Sequence, residues 1–409
     1  MIPIKEREMP HCSSRRLRIG LVISSLRAGG AERVASVLAA AWSEQGIEVI
    51  LLTGYPPETD FYRVPERARR LNWGFVCETR GSIGRVAGHL KRLLRLRRAI
   101  LKANPDVLIS LGDKTNLMTL VSKFGMRVPV IVSERSDPRF APCGWITRQL
   151  RPWLYRLANY IVVQSESVAG WARQTIPGRP VQVIPNPLVR PVTTSAVRKL
   201  KRVVGMGRLA PEKGFELLIE AFARCGPNHR EWKLIIFGEG PELPALQSVA
   251  RRFGMADSVE FGGLVRAPAA ELAASEIFVL SSRFEGFPNA LLEAMACGVP
   301  VVSFDCPSGP SEIIRDGVDG IMTPAGNVEL LSAALGRLMS DSVLRTQLGM
   351  NARKAVERFS VEKVSEMWFD LFAEVIPAQV STHTHIGKEN TTHGAGVREQ
   401  HIQRSGRPV

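Results

Sequence analysis

Short apolar runs of strand length recur along this chain at intervals that a helix would fill, and they do so in two successive series. LRIGLVISSL (17–26) is followed by a Gly-rich turn, the helical stretch AERVASVLAAAWSEQG, and then EVILLTG (48–54). PDVLISLG (105–112), VPVIVSE (128–134) and NYIVVQS (159–165) continue the first series. Strands that are apolar throughout and joined by helices form parallel sheets covered on both faces. Three prolines in VQVIPNPLVRPVTT interrupt the pattern, after which it begins again. KRVVGMGRL, WKLIIFGEG, SVEFGGLV, IFVLSS and VPVVSFD read as strands; FELLIEAFARC, ELPALQSVARRFG and ALLEAMACG read as helices. The chain is therefore α/β, with two doubly wound domains whose strand C-termini line a shared cleft.

This reading puts the first domain at 17–190 and the second at 198–360. Residues 1–16 are polar, mixed in charge and expected to be flexible, without the apolar core of a signal peptide. VEKVSEMWFDLFAEVI (361–376) reads as a last amphipathic helix that packs back on the first domain. The tail, 378–409, loses periodicity and is expected to be disordered. No apolar run reaches the ~18 residues of a membrane span, so a cytoplasmic protein is expected. The six cysteines show no paired spacing, which suits reduced thiols. Four of the seven histidines fall in the tail, and no metal site is expected.

A formal charge of +15 asks for an anionic partner or a solvating role. No nucleic-acid-binding module is recognisable, so nucleic acid is not the expected partner. RGSIGRVAGHLKRLLRLRRAILK (80–102) contains no acidic residue. Ile83, Val86, Leu90, Leu93, Leu94 and Ile100 form its apolar stripe, opposite Lys91, Arg92, Arg95, Arg98 and Lys102. A solvated domain helix and a contact with anionic lipid both fit that pattern. The aromatic and basic WITRQLRPWLYRL (145–157) could extend such a surface.

Chemistry concentrates in SSRFEGFPNALLEAMACGVPVVSFD (281–305). A strand ends near Ser281, a loop carries Glu285, and a helix starts near Pro288 or Asn289, where Asn can cap and Gly298 can terminate it. Glu293 lies one to two turns inside that helix. Two carboxylates so placed can hold opposite ends of one elongated ligand beside helix N–H groups that donate to anions or hydroxyl oxygens. This stretch resembles glycosyltransferase family 4, the retaining enzymes of the GT-B fold, in which two Rossmann-like doubly wound domains face each other across a cleft. Its paired-Glu signature stands here as Glu285 and Glu293. The resemblance implies that Glu285 contacts the donor hexose and Glu293 the ribose, with Gly286, Phe287, Pro288 and Asn289 in the donor loop.

GMGRLAPEKGFELLIEAF (205–222) extends the resemblance, which implies that Arg208 and Lys213 contact the donor phosphates without a divalent metal or other cofactor. Departure of a nucleotide diphosphate leaves negative charge for cations to stabilise; arginine suits multidentate contact and lysine acts as a point charge. FGEGPELPAL (237–246) is similar to the family's nucleotide-side loop, with Gly238 permitting close backbone approach. In CPSGPSEIIRDGVDGIMTP (306–324), Ser308, Gly309 and Ser311 form a loop able to approach donor phosphate or sugar.

In the first domain, LRAGGAERV lacks the G-x-G-x-x-G of dinucleotide folds; the resemblance turns Gly29 and Gly30 toward the cleft. Glu32 reads as a first-turn helix residue. IVSERSDPR places Glu134 and Arg135 at a strand end as acceptor-side candidates, while Arg135 and Asp137 could equally pair structurally. Gln164 and Ser165 are further candidates for the cleft wall. The expected activity is transfer of a hexose or N-acetylhexosamine from a nucleotide diphosphate sugar, with UDP favoured and GDP-mannose second. The expected acceptor is a polyprenyl-diphosphate-linked or other lipid-bound saccharide at the inner, anionic face of the plasma membrane. A transferase with a soluble acceptor and a GT-B-like UDP-sugar epimerase are the alternatives. The sequence leaves the sugar, linkage and oligomeric state open.

Overall fold

The computed structural model describes residues 16–74, 82–141, 143–191, 199–226 and 229–376. The first sheet contains β1 (Arg18–Ile23), β2 (Glu48–Thr53), β3 (Arg69–Asn72), β4 (Val107–Leu111), β5 (Val130–Ser133), β6 (Tyr160–Val163) and β7 (Val181–Val183). They lie in the order β3-β2-β1-β4-β5-β6-β7. The intervening helices are α1 (Gly30–Glu44), α2 (Ser82–Ala103), α3 (Asp113–Ser122), α4 (Trp145–Leu154) and α5 (Glu166–Thr175).

The second sheet contains β8 (Leu200–Met206), β9 (Lys233–Phe237), β10 (Val259–Gly263), β11 (Ser275–Leu280), β12 (Val301–Asp305) and β13 (Ile321–Pro324), in the order β10-β9-β8-β11-β12-β13. Its helices are α6 (Phe215–Arg224), α7 (Leu243–Arg252), α8 (Pro268–Ala273), α9 (Asn289–Ala296) and α10 (Pro310–Ile313). α11 (Val328–Ser340), α12 (Ser342–Ala355) and α13 (Val361–Val375) follow. Every pairing in both sheets is parallel.

Away from its edge strands each sheet is buried on both faces, which is why the inner strands read as continuous apolar runs. Along β1 successive side chains alternate: Ile19, Leu21 and Ile23 enter the core beneath α1, and Val22 enters the opposite core. α13 lies on α1 although the second domain precedes it in sequence. Trp368 and Phe372 meet Trp42 edge-on, with centroids 5.9 and 5.4 Å away. Edge-to-face pairs contribute about 0.5–1.5 kcal/mol beyond their burial. The chain thus passes between the domains twice, and the two passages touch. Leu188 N donates to Phe359 O at 2.7 Å, and Val361 N donates to Leu188 O at 3.2 Å.

The basic helix α2 seats only part of its apolar surface. Leu96 and Ile100 are buried, whereas Leu90 and Leu94, expected in the packed stripe, are exposed beside Leu101. The helix turns slightly away from the expected face, and Leu96 takes the inward position. The Ile83 and Val86 side chains lie outside the described residues.

Strand order reverses between β1 and β4 in the first sheet and between β8 and β11 in the second. Such switch points open a crevice beyond the strand C-termini. The loops leaving these strands meet one another, as Asn289 after β11 reaches the Gly30 carbonyl after β1.

Candidate active site

On the second-domain wall, the loop after β8 carries Arg208 and Lys213 and enters α6 through Gly214, whose φ of 59° favours glycine. The loop after β11 carries Glu285. Lys213 Nζ lies 2.7 Å from Glu285 Oε1, and the Ser282 hydroxyl donates to the same oxygen at 2.6 Å. Ser281 Oγ donates to the Lys213 carbonyl at 2.9 Å, so the two loops are stitched at backbone and side chain. Arg208 stands mostly exposed and pairs with Glu212. Burial alone would raise the Glu212 pKa, but the Arg208 hydrogen bond holds it below the ordinary carboxylate value. Gly238, at φ 138°, presses on the Gly207 carbonyl where a Cβ would collide.

α9 starts at Asn289 with Pro288 before it, and no side chain caps the helix. Asn289, expected as a cap, instead reaches across the cleft to Gly30 O at 3.3 Å and accepts from Asn186 Nδ2 at 2.7 Å. Asn186 Nδ2 also donates to Phe287 O at 3.0 Å. The Phe287 ring itself is buried against Phe359 rather than facing the cleft. Gly286 leaves room for the first domain, since a Cβ there would sit 2.8 Å from Arg135 O. Gly309, at φ 94°, packs beside Pro288. Glu293 extends toward the first domain, with Oε1 2.7 Å from Arg33 Nε. Burial pushes its pKa up to about 7 against the opposing pull of Arg33.

On the opposite wall, Gly29 and Gly30 form the turn into α1, and Glu32 folds back so closely that a Cβ on Gly29 would meet its carboxylate. Burial raises the Glu32 pKa; the Ser25 hydroxyl, at 3.3 Å, and Arg208 across the cleft work against that rise. Arg135 donates to Asn186 Oδ1 and to Ser133 Oγ, at 3.3 Å for the latter, and has no carboxylate partner among the described residues. Desolvation lowers its pKa to about 9.

Glu134 departs from its expected place. It is fully buried, accepting from Tyr155 OH at 2.5 Å, with Arg151 Nε 3.2 Å away. The alternation of an extended strand turns Glu134 inward when Arg135 faces the cleft. Burial raises the Glu134 pKa, with Arg151 the chief opposing charge. Asp137 does not pair with Arg135; it takes Arg139, at 2.6 Å, and the Ser308 hydroxyl. Gln164 and Ser165 are also buried rather than lining the cleft. Gln164 donates to the Glu134 carbonyl, and Ser165 caps α5, accepting from Val168 N at 3.3 Å.

Three participants carry no signal of a role in their local sequence, Arg33, Arg139 and Asn186, and Glu312, a first-turn residue of α10, does more than start its helix. Glu312 accepts from Glu166 N at 3.0 Å and Ser167 N at 3.3 Å, so one domain's carboxylate satisfies the other's helix N-terminus. Asn186 sits between two prolines in IPNP, which marks an interruption of the strand pattern and not that role. The assembled wall offers two cations and a carboxylate at one switch point, and a second carboxylate on a helix beside it. Among the described residues no group of three His, Cys, Asp or Glu could hold a metal ion, and no helix is long and apolar enough to cross a membrane.

The family model described as Glycosyl transferases group 1 matches residues 194–355, and that described as Glycosyl transferase 4-like domain matches 29–187. A Campylobacter jejuni protein, named as an N-acetyl-D-galactosaminyltransferase for a PP-undecaprenol-linked saccharide, is 27% identical over 365 residues. That alignment covers 88% of this chain and 99% of the relative. An exopolysaccharide phosphotransferase of Streptomyces coelicolor is 32% identical over 294 residues; the match spans 69% of this chain but only 30% of that longer protein. Among solved structures, HepE of Anabaena in complex with UDP superposes with a TM-score of 0.73 at 20% identity, over 88% of this chain and all of the other.

Proposed function

Because the chain belongs to the family-4 glycosyltransferases and has their GT-B fold, we propose that it transfers a hexose or N-acetylhexosamine, with retention, from a nucleotide diphosphate sugar to a lipid-linked saccharide. UDP-sugars are favoured and GDP-mannose comes second; the product belongs to exopolysaccharide, lipopolysaccharide or a related glycan. The observation that carries this reading is the Lys213–Glu285 contact of 2.7 Å at the second domain's switch point. In this reading Lys213 and Arg208 stabilise the leaving diphosphate, so the reaction needs no divalent metal. Glu285, held by Lys213 and Ser282, orients the sugar hydroxyls, and Glu293 takes the ribose after exchanging its Arg33 partner. The acceptor hydroxyl attacks on the face the diphosphate vacates, with a departing phosphate oxygen as base.

A lipid-bound acceptor agrees with the outer surface of α2. Leu90, Leu94 and Leu101 stand exposed among Lys91, Arg95, Arg98 and Lys102. Such a surface suits the cytoplasmic face of an anionic bilayer, where each cation contributes about 1 kcal/mol. The protein is expected to float with phosphatidylglycerol liposomes and not with phosphatidylcholine ones.

Nucleotide release from a panel of UDP- and GDP-sugars, with membrane lipid extract as acceptor and with EDTA, tests the reaction. Extract-dependent release from one donor, indifferent to EDTA and lost in Glu285→Ala and Lys213→Ala, is the expected result. Release that needs added metal or survives both substitutions would reject the site assignment.

A further inference from the structure

Behind α4 the first domain holds a cavity of about 650 Å³ to which the transfer chemistry assigns no role. Arg139, Arg148, Arg151 and Trp171 lie in its wall, and no acidic side chain lines it among the described residues. Arg151 is only 4% exposed. Glu134 and Asp113 hold it from behind, at 3.2 and 3.7 Å, and its guanidinium carbon lies 5.8 Å from the Trp171 ring centroid. Both acid contacts are charge contacts without a hydrogen bond, and no side-chain hydrogen bond of Arg151 occupies its Nη1 donors among the described residues. Arg139 is also set by an acid, Asp137. Arg148 is exposed and has no partner among the described residues. Guanidinium groups fixed by acids outside the cavity, with donors still available, form a preorganised receptor for phosphate oxygens.

The other side of the same helix is apolar and uncovered. Ile146, Leu150 and Trp153, with Leu157 just past the helix, recur at four, three and four residues, and are 65%, 45%, 69% and 43% exposed. This spacing forms one stripe, which in a domain helix ordinarily faces the core. Here the core side is taken by the arginine cavity. The cavity also adjoins the transfer site: Arg139 donates to Ser308 Oγ at 3.3 Å, and Phe140 stacks on Phe284, next to Glu285, at 6.2 Å.

We propose that the cavity seats the phosphate groups of an amphiphilic acceptor, an isoprenoid diphosphate carrying the growing saccharide, with the stripe on α4 taking its apolar chain. This rests on the lipid-linked reading above and adds the acceptor's anchoring site. A flat bilayer surface can meet the exposed cations of α2, whereas a concave site built around a buried guanidinium fits a headgroup that enters it. Charge and apolar surface lie on opposite sides of one helix about 10 Å across, a width that an isoprenoid chain leaving the cavity can pass round.

Calorimetric titration of the full chain with farnesyl diphosphate tests the site. Farnesol, inorganic pyrophosphate and phosphatidylglycerol vesicles serve as separate probes, and UDP is titrated into the same samples. Farnesyl diphosphate is expected to bind at least 10-fold more tightly than farnesol or pyrophosphate. Arg148→Glu should weaken it at least 10-fold and Trp153→Ser about 5-fold, whereas Lys354→Glu, an exposed charge reversal in the second domain, should leave it unchanged. Thermal midpoints identify a variant that has simply lost its fold. Parent protein that binds UDP but not farnesyl diphosphate would overturn the anchoring site and leave the transferase reading intact. Vesicle binding that depends on Arg148 without farnesyl diphosphate binding would overturn it as well, making α4 a membrane contact only. Arg148-dependent binding in a chain that transfers no sugar to lipid extract would keep the phosphate site and reject the lipid-acceptor reading.

Discussion

The two walls of the cleft hold their charges differently. In the second domain the cations and carboxylates satisfy one another within a few residues of the same switch point, as in Lys213 with Glu285 and Arg208 with Glu212. In the first domain the cleft-facing groups depend on neutral partners or on the opposite wall. Arg135 leans on Asn186, Arg33 on Glu293, and Asp137 partly on Ser308. A wall that balances its own charge keeps its geometry whether or not the domains meet. A wall that borrows partners changes its electrostatics whenever the cleft opens. The loops carrying Lys213 and Glu285 are thus preorganised and self-contained, whereas Glu293 and the facing wall are organised by closure.

Breaking the self-contained wall should have the largest effect. Lys213→Ala is expected to lower the rate of transfer about 100- to 1000-fold in steady-state kinetics, the range for loss of one electrostatic stabiliser of developing charge. Arg135→Gln comes next, at about 10- to 100-fold, because it removes a desolvated cation that has only neutral partners. An Arg135 effect as large as that of Lys213 would end the distinction between the walls.

The Arg33–Glu293 contact sharpens the comparison through pH. The Glu293 pKa, near 7, lies above the ordinary 4.5, so the folded protein holds a proton that the unfolded chain has lost between those values. Stability is therefore expected to fall as pH rises from about 4.5 to about 7, with a slope of at most about 1.4 kcal/mol per pH unit, and then to level. Scanning calorimetry of the parent against Glu293→Gln isolates this contribution. Arg33→Met removes the only opposing charge among the described residues and should carry the window above pH 7. A difference curve that is flat for both variants would mean that no cross-cleft pair forms. Glu212→Ala should have the least effect, changing donor KM less than about 3-fold, since an exposed arginine gains at most about 1 kcal/mol from such a pair.

The second-domain wall was legible in the sequence because its groups lie on loops fixed by local rules. A strand, a glycine and a helix start determine where Lys213 and Glu285 fall. The first-domain wall was less so. Glu134 and Arg135 are adjacent, and which of them faces the cleft depends on the register of one extended strand, which the run SERSDP does not encode. Arg33, Arg139 and Glu312 find partners across the cleft, 146 residues apart along the chain in the case of Glu312 and Glu166, and no local pattern encodes such a meeting. β3, with sequence RRLN, carried no apolar signal because it is an edge strand, and its backbone pairing with β2 alone defines it. The short strands VQV and IMTP at the opposite edges escaped for the same reason.

The return of α13 to α1 affects how the molecule is made. Trp42 belongs to a helix that ends at Glu44, but its cover begins at Val361, so the intervening chain must be synthesised before that flank is closed. At ordinary elongation rates of ~5–20 residues per second the exposed tryptophan waits roughly 15–60 s on the ribosome. The second domain, whose sheet and covering helices are contiguous in sequence from Leu200 to Ala355, can close its core as soon as it emerges. The domain synthesised first is therefore the one completed last. A premature stop ahead of α13 would release a finished second domain tethered to a first domain with an open, sticky flank, a species suited to chaperones and proteases rather than to sugar transfer.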